Sequence, residues 1–148
     1  MQTDVLIVGA GSGGLSAAIF AAKMGLETTL VERDEASLGG ECLRNGCVPS
    51  KALLRVADDI HTAHSVNDVG IATRGQPDWD AIKQRIQDTQ DHIREHEDRE
   101  ALEAHGVSLV FGDATFTAPQ TVSVGDTSIQ ADNIVLATGS KPRRPPID

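Results

Sequence analysis

Val5-Leu6-Ile7-Val8-Gly9-Ala10-Gly11-Ser12-Gly13-Gly14-Leu15 is the stretch from which the rest of the chain is read. Four consecutive apolar residues, three of them β-branched, mark a parallel strand buried on both faces. The glycines at 9, 11 and 14 form G-x-G-x-x-G. Each has a physical task. The first makes the tight turn off the strand, the second lets the backbone approach a pyrophosphate, and the third lets the helix pack close to the sheet. The Ala-rich run from Leu15 to Met24 predicts that helix, with Gly25 as its C-cap. Thr28 to Val31 predicts a second buried strand, closing on Glu32. Strand, turn, helix and strand make a βαβ unit with a right-handed crossover.

In such a unit phosphates sit at the helix N-terminus, where free N–H groups and the dipole attract anions. Glu32 lies near the ~20-residue offset of the acid that accepts both ribose hydroxyls. An acid there repels a 2′-phosphate, which disfavours NADP at this site. A glycine turn with no ligand is the alternative. The strand before it, the helix after it and the small Ala18 and Gly25 argue against that reading. FAD and NAD share an ADP half, so the fingerprint does not choose between them.

Further along, Arg33 to Gly46 reads as a loop, and Pro49 suits the first turn of a helix continuing from Ala52 to His64. Asn67 to Asp78 reads as a loop. Asp80 to His105 reads as one long helix with Ile82, Ile86, Ile93 and Leu102 on its apolar side and a solvated, charged remainder. Val107 to Phe111 predicts a third buried strand. Ala114 to Val124 and Thr127 to Gln130 predict an antiparallel hairpin turning at Gly125-Asp126. Asn133 to Ala137 predicts another parallel-type strand. Pro142, Pro145 and Pro146 close the chain as a linker. The expected class is α/β: a Rossmann-like parallel sheet with helices and an antiparallel hairpin or meander insertion.

At 148 residues the chain has one domain's length and can bury a core. A net charge of −9 disfavours nucleic acid and anionic membrane surfaces as partners. No apolar run approaches the ~20 residues of a membrane span. Met1 to Asp4 carries no basic leader, so the expected compartment is the cytoplasm. In a reducing compartment, the close pair Cys42 and Cys47 reads as catalytic or metal-binding rather than as a structural staple.

That pair lies in Gly39-Gly40-Glu41-Cys42-Leu43-Arg44-Asn45-Gly46-Cys47-Val48-Pro49-Ser50-Lys51. A C-x4-C pair at the start of a helix can close a small disulfide ring. The helix N-terminus is expected to lower the thiol pKa, with Lys51 helping. A zinc site needs further ligands, and the chain has no other cysteine. His61 and His64 would point away from a pair placed before their helix's first turn. His92 and His96 are i, i+4 on a charged helix and read as surface histidines, so no metal is expected. Two inert buried cysteines remain the alternative.

The glycine fingerprint, then G-G-x-C-x4-C-x-P-S-K and later Ala137-Thr138-Gly139-Ser140, resembles the disulfide-type flavoprotein oxidoreductases that use pyridine nucleotides. Dihydrolipoamide dehydrogenase, glutathione reductase and mercuric reductase belong to that family. The resemblance runs from Val5 to Pro146. Cys47 to Leu54 is most similar to the dihydrolipoamide dehydrogenase and mercuric reductase branches, and His105 to Phe116 leans weakly toward the latter. Glu41 stands where Thr is common, and Arg44-Asn45 replaces a frequent Asn-Val.

The resemblance implies FAD, bound over Gly9, Gly11, Ser12, Gly13 and Gly14, with Glu32 on its ribose and Arg33 beside it. It counts Gly40, Glu41, Cys42 and Lys51 among the cofactor-binding residues, with Lys51 near the flavin edge, Cys47 nearer the ring and Cys42 distal to it. Gly112 and Ala114 fall on the adenine side, and Ala137, Thr138 and Gly139 close over the cofactor. It implies that Cys42 is the interchange thiol and Cys47 the charge-transfer thiol of a redox-active disulfide. Electrons would pass from NAD(P)H through FAD to that disulfide and on to a small-molecule or disulfide acceptor. The family's chains are longer, adding an NAD(P)H domain, with no second G-x-G-x-x-G here, and a dimerisation domain. Residues 1–148 are therefore expected to be the N-terminal FAD domain of a homodimeric parent concerned with cell redox homeostasis, inactive alone. An FAD-binding module without turnover and a plain NAD-binding Rossmann domain are the alternatives.

Overall fold

The computed structural model describes residues 1–141 and 143–147; Pro142 of the expected linker and Asp148 lie outside the described residues. The chain divides into two units, one built from Met1–Gly40 together with the chain from Glu97 onward, the other from Glu41–His96.

The first unit is an α/β sheet. Strands β1 (Gln2–Val8), β2 (Thr28–Glu32), β3 (Val107–Phe111), β4 (Ala114–Ala118), β5 (Thr121–Val124) and β6 (Thr127–Leu136) are ordered β3-β2-β1-β6-β5-β4. β1 pairs in parallel with β2 and β6, and β2 with β3, while β4–β5 and β5–β6 are antiparallel. Helix α1 (Ser12–Lys23) packs on this sheet. The apolar run reads as expected: Leu6 and Ile7 are fully buried and fall in two different clusters. Ile7 packs with Leu15, Ala18, Leu30, Leu102 and Val107, and Leu6 with Val31, Val122, Val124, Ile129 and Ala131. Side chains alternate across a strand, so β1 feeds a core on each face of the sheet.

Three expectations change. The hairpin arm and the separate strand from Asn133 are one ten-residue strand, β6, antiparallel to β5 from Thr127 to Gln130 and parallel to β1 from Gln130 to Leu136. The expected run from Ala114 to Val124 is broken at Pro119-Gln120, because proline cannot donate to a ladder and suits a turn; the result is a meander of β4, β5 and β6. The long helix is two, α4 (Trp79–Arg94) and α5 (Arg99–Ala104). The break is made by Asp98, whose side chain accepts from the Ala101 N–H at 2.8 Å and starts a new helix.

The second unit holds α2 (Gly40–Arg44, its first residue on the boundary), α3 (Cys47–Ser65) and α4. The loop expected from Arg33 to Gly46 thus contains α2 and a one-turn 3-10 segment at Glu35–Ser37. Among the described residues no helix is long and apolar enough to cross a membrane.

Candidate cofactor and dithiol site

In the first unit the parallel strands end together, and the predicted residues lie at those carboxyl ends. The glycine turn follows β1, Glu32 ends β2, Gly112 follows β3, and Ala137-Thr138-Gly139 follows β6. Backbone hydrogen bonds lock them: Gly9 N–H to Val31 C=O (2.8 Å), Gly112 N–H to Glu32 C=O (2.9 Å) and Ala137 N–H to Val8 C=O (2.8 Å). Open α/β sheets bind ligands at this edge.

Two fingerprint glycines are required by the protein itself. A Cβ on Gly14 would stand 1.7 Å from the Gly9 carbonyl oxygen. One on Gly9, where φ is +105°, would meet the Ala137 carbonyl oxygen at 2.4 Å. Gly40 is similar: with φ at +62°, its Cβ would lie 2.7 Å from Gly11 Cα. Gly11 itself differs. Its φ of −78° suits any residue, and the nearest atom to its Cβ, Gly40 Cα, is 4.0 Å away. Gly13, in the first turn of α1, has nothing within 4 Å. These two glycines leave open space above a helix start that no side chain caps.

The half-buried Glu32 carboxylate turns back on this loop. Its Oε2 accepts from Ala10 N–H and its Oε1 from Arg33 N–H, each at 2.7 Å. Arg33 is exposed, with its Nε 3.8 Å from Asp113. Ala114 opens β4 and packs against the Leu6 cluster. Sequence reading missed Arg99, which lies on Phe111 at 4.8 Å from the ring centroid and pairs with Glu35 at 3.3 Å just after β2.

In the second unit, Cys42 sits on α2 and Cys47 is the first residue of α3. Both are free thiols, Cys42 half-buried and Cys47 exposed, and their side chains are hydrogen-bonded to each other. The turn between the helices brings them together. The Glu41 carbonyl accepts from Asn45 N–H (3.0 Å) and Gly46 N–H (2.7 Å). A Cβ on Gly46 would come within 3.0 Å of that oxygen, so glycine permits the tightness. Glu41 Oε2 also accepts from Asn45 Nδ2 at 3.0 Å.

The expected lowering of the thiol pKa is corrected at Cys47. Its hydrogen bond to Cys42 and the negative charge of a Cys42 thiolate push it up, aided by desolvation. Lys51 and the backbone at the start of α3 act downward, as expected, but are outweighed. In the reduced pair Cys47 therefore holds its proton to higher pH than an isolated thiol.

Gln90 is the second residue that sequence reading missed. It is buried on α4, and its Nε2 donates to the carbonyls of Leu43 and Arg44, each at 2.8 Å. The available signal was a polar residue four positions after Ile86 and three before Ile93, in the apolar stripe. His92 and His96 meet edge to face, with ring centroids 5.4 Å apart. Among the described residues no group of three His, Cys, Asp or Glu side chains is placed to hold a metal ion.

Comparison with known proteins matches residues 3–148 to the family described as pyridine nucleotide-disulphide oxidoreductase. Dihydrolipoyl dehydrogenase 2 of Haloarcula marismortui is 35% identical, over 97% of this chain and 31% of its own. Dihydrolipoyl dehydrogenase of Vibrio cholerae is 38% identical, over 99% of this chain and 31% of its own. Among solved structures, the HOCl-induced flavoprotein disulfide reductase RclA from Escherichia coli superposes with a TM-score of 0.73 at 25% identity, over 97% of this chain and 30% of that one. The chain spans about a third of the length of these curated relatives. With strand order, glycine turn and paired thiols in place, the chain belongs to the pyridine nucleotide-disulphide oxidoreductase family, whose members bind FAD and use NAD(P)H.

Proposed function

We propose that this chain is the N-terminal FAD-binding and dithiol-bearing part of a flavoprotein oxidoreductase acting on a small-molecule or disulfide substrate. The observation that carries the reading is the Cys42–Cys47 pair, two thiols in hydrogen-bond contact at the start of a helix.

The glycine turn fits a dinucleotide. Gly11 and Gly13 are not demanded by any neighbouring atom, and Gly13, inside the first turn of α1, costs roughly 1 kcal/mol relative to alanine. Open space there is what a pyrophosphate approaching the backbone requires. Gly9, Gly11, Ser12, Gly13 and Gly14 would hold the pyrophosphate, with Glu32 on the ribose and Arg33, Gly112 and Ala114 toward the adenosine. Ala137, Thr138 and Gly139 would close the edge, Gly40, Glu41 and Lys51 would lie toward the flavin half, and of the two thiols Cys47 would lie nearer the ring and Cys42 farther from it. When bound, FAD supplies the cysteine pair with two electrons drawn from NAD(P)H.

The chain's own residues then divide the work. Reduced Cys42, as thiolate, attacks one sulfur of an acceptor disulfide and releases the other as a thiolate. Cys47 then gives up its proton and attacks the Cys42 side of the mixed disulfide, releasing the second acceptor thiolate. The pair is left oxidised by two electrons, and the acceptor is reduced by two. The close contact of the two thiols supports a stepwise order, because each opposes ionisation of the other and the pair gives up its second proton less readily than its first. The NAD(P)H and dimerisation domains of a homodimer would lie outside these residues, in keeping with the share of each relative that is covered. The second half of β6 also supports further chain: Val135 and Leu136, 38% and 63% exposed, lie where β6 pairs only with β1 among the described residues.

The test uses the full-length protein. A flavin spectrum and a gain of about two titratable thiols after anaerobic NAD(P)H are expected. Flavin without any gain in thiols would reject the redox-active disulfide.

A further inference from the structure

The geometry points to Gln90 as the positioning residue of the dithiol, a donor that fixes the spacing of Cys42 and Cys47 from the next helix and so sets their redox potential. This rests on the reading of that pair as a redox couple.

The ring that a disulfide would close runs from Cys42 through Leu43, Arg44, Asn45 and Gly46 to Cys47. Two of its carbonyls, those of Leu43 and Arg44, belong to the last turn of α2. Carbonyls at a helix end have no partner within the helix and need an external donor. A five-residue helix is also too short to persist on its own. Gln90 supplies such a donor to both, at 2.8 Å to each oxygen. It does so from a site only 8% exposed, where water is a poor substitute. Leu43, between the two cysteines, is itself buried at 2% exposure, so the ring is held by packing and by the amide together. α4 is anchored to α3 independently, through Arg85 to Asp59 at 3.1 Å. Gln90 is therefore a fixed point against which the ring is held, rather than a side chain that follows it.

Holding two thiols together raises their effective concentration for each other, which favours the disulfide. Removing the donor lets the end of α2 move, lowers that concentration, and makes the disulfide easier to reduce. A structural role confined to folding stability would leave the potential where it is.

The experiment equilibrates the full-length protein in dithiothreitol buffers of graded oxidised-to-reduced ratio, quenches with a maleimide of known mass and counts modified cysteines. Wild type, Gln90→Met and Gln90→Glu are compared, with circular dichroism as the check on folding. Methionine keeps the volume and loses the donor; glutamate keeps the shape and offers the two carbonyls another acceptor. The expected result is a disulfide-forming constant about tenfold lower in both variants, a midpoint about 30 mV less negative. Variant curves that superpose on a wild type showing a normal two-thiol transition overturn the role of Gln90 alone. A wild type with no reversible two-thiol transition overturns the redox-couple reading and this inference with it. Failure of both variants to fold overturns it as well, since Gln90 is then a folding residue.

Discussion

Glu32 serves two sets of donors. A carboxylate has two oxygens and about four lone-pair sites. The N–H groups of Ala10 and Arg33 each take one site at 2.7 Å, leaving each oxygen one for a ribose hydroxyl. Hydrogen bonds to a charged group are worth about 1.5–3 kcal/mol each. In Glu32→Gln one oxygen becomes an amide that confronts a backbone N–H, and FAD affinity should fall about tenfold. Glu32→Ala should be worse, about a hundredfold, and should also lower the thermal stability of the cofactor-free protein, because the glycine turn loses its side-chain tie to β2 and keeps only the Gly9 N–H to Val31 C=O bond. Flavin fluorescence titration and a thermal melt read the two effects, and unchanged affinity in Glu32→Ala would remove the acid from the ribose. At the dithiol the sign of the pH effect is fixed by Cys42. It is the main cause that raises the Cys47 pKa, so Cys42→Ser removes the competing thiolate and leaves only desolvation acting upward against Lys51 and the backbone. The pH midpoint for alkylation of Cys47 in the reduced protein should therefore move down. A midpoint that stays or rises would show that the coupling is not what holds the proton. The C-x4-C spacing and Glu32 were legible in the sequence because each motif is local. The direction of the Cys47 pKa was not, because it depends on how closely two side chains approach.

At the scale of elements, the turn between β1 and α1 contains two kinds of glycine. Gly14→Ala drives a Cβ into the Gly9 carbonyl and must push α1 off the turn, costing several kcal/mol of stability, on the order of a severe core overpacking. Gly11→Ala meets only open space at an ordinary φ, so the cofactor-free protein should lose no more than the ~1 kcal/mol of a poorer N-cap. The two variants should both lose FAD affinity and differ in melting temperature. Equal destabilisation would mean that Gly11 is a folding glycine after all. The sequence showed the βαβ unit because strand period, glycine spacing and terminal acid agree. It did not show the break between α4 and α5. Nothing from Glu95 to Arg99 is a glycine or proline, and the stop is made by one side chain, Asp98, folding back onto a backbone N–H. Gln90 was hidden for a related reason: an amide in an apolar stripe has meaning only once its two carbonyl partners are known.

Across the whole molecule, the parallel half of the sheet was readable strand by strand, while its junction with the meander was not. Thr127 to Gln130 alternates like a hairpin arm, and Asn133 to Ala137 reads as a parallel-type strand. The period shifts between them although the backbone continues. β6 is one strand with two partners, β5 beside Thr127 to Gln130 and β1 beside Gln130 to Leu136. The division of the chain after Gly40 and before Glu97 was equally hidden, since both crossings fall in segments without a composition change.

Because β6 belongs to both ladders, the molecule has a natural order of assembly. The meander closes over short sequence distances, whereas pairing β6 with β1 joins Gln2 to Gln130 across nearly the whole chain. Short loops close first, and distant contacts form against a larger entropy. The meander thus presets the register in which β1 finds β6, as a template would. Gly125 sits at its turn with φ at +56° and empty space where a Cβ would go, so valine there brings backbone strain without a clash. Gly125→Val should slow refolding more than it speeds unfolding in stopped-flow denaturant series. If the unfolding limb takes most of the change, the long-range pairing leads and the meander follows.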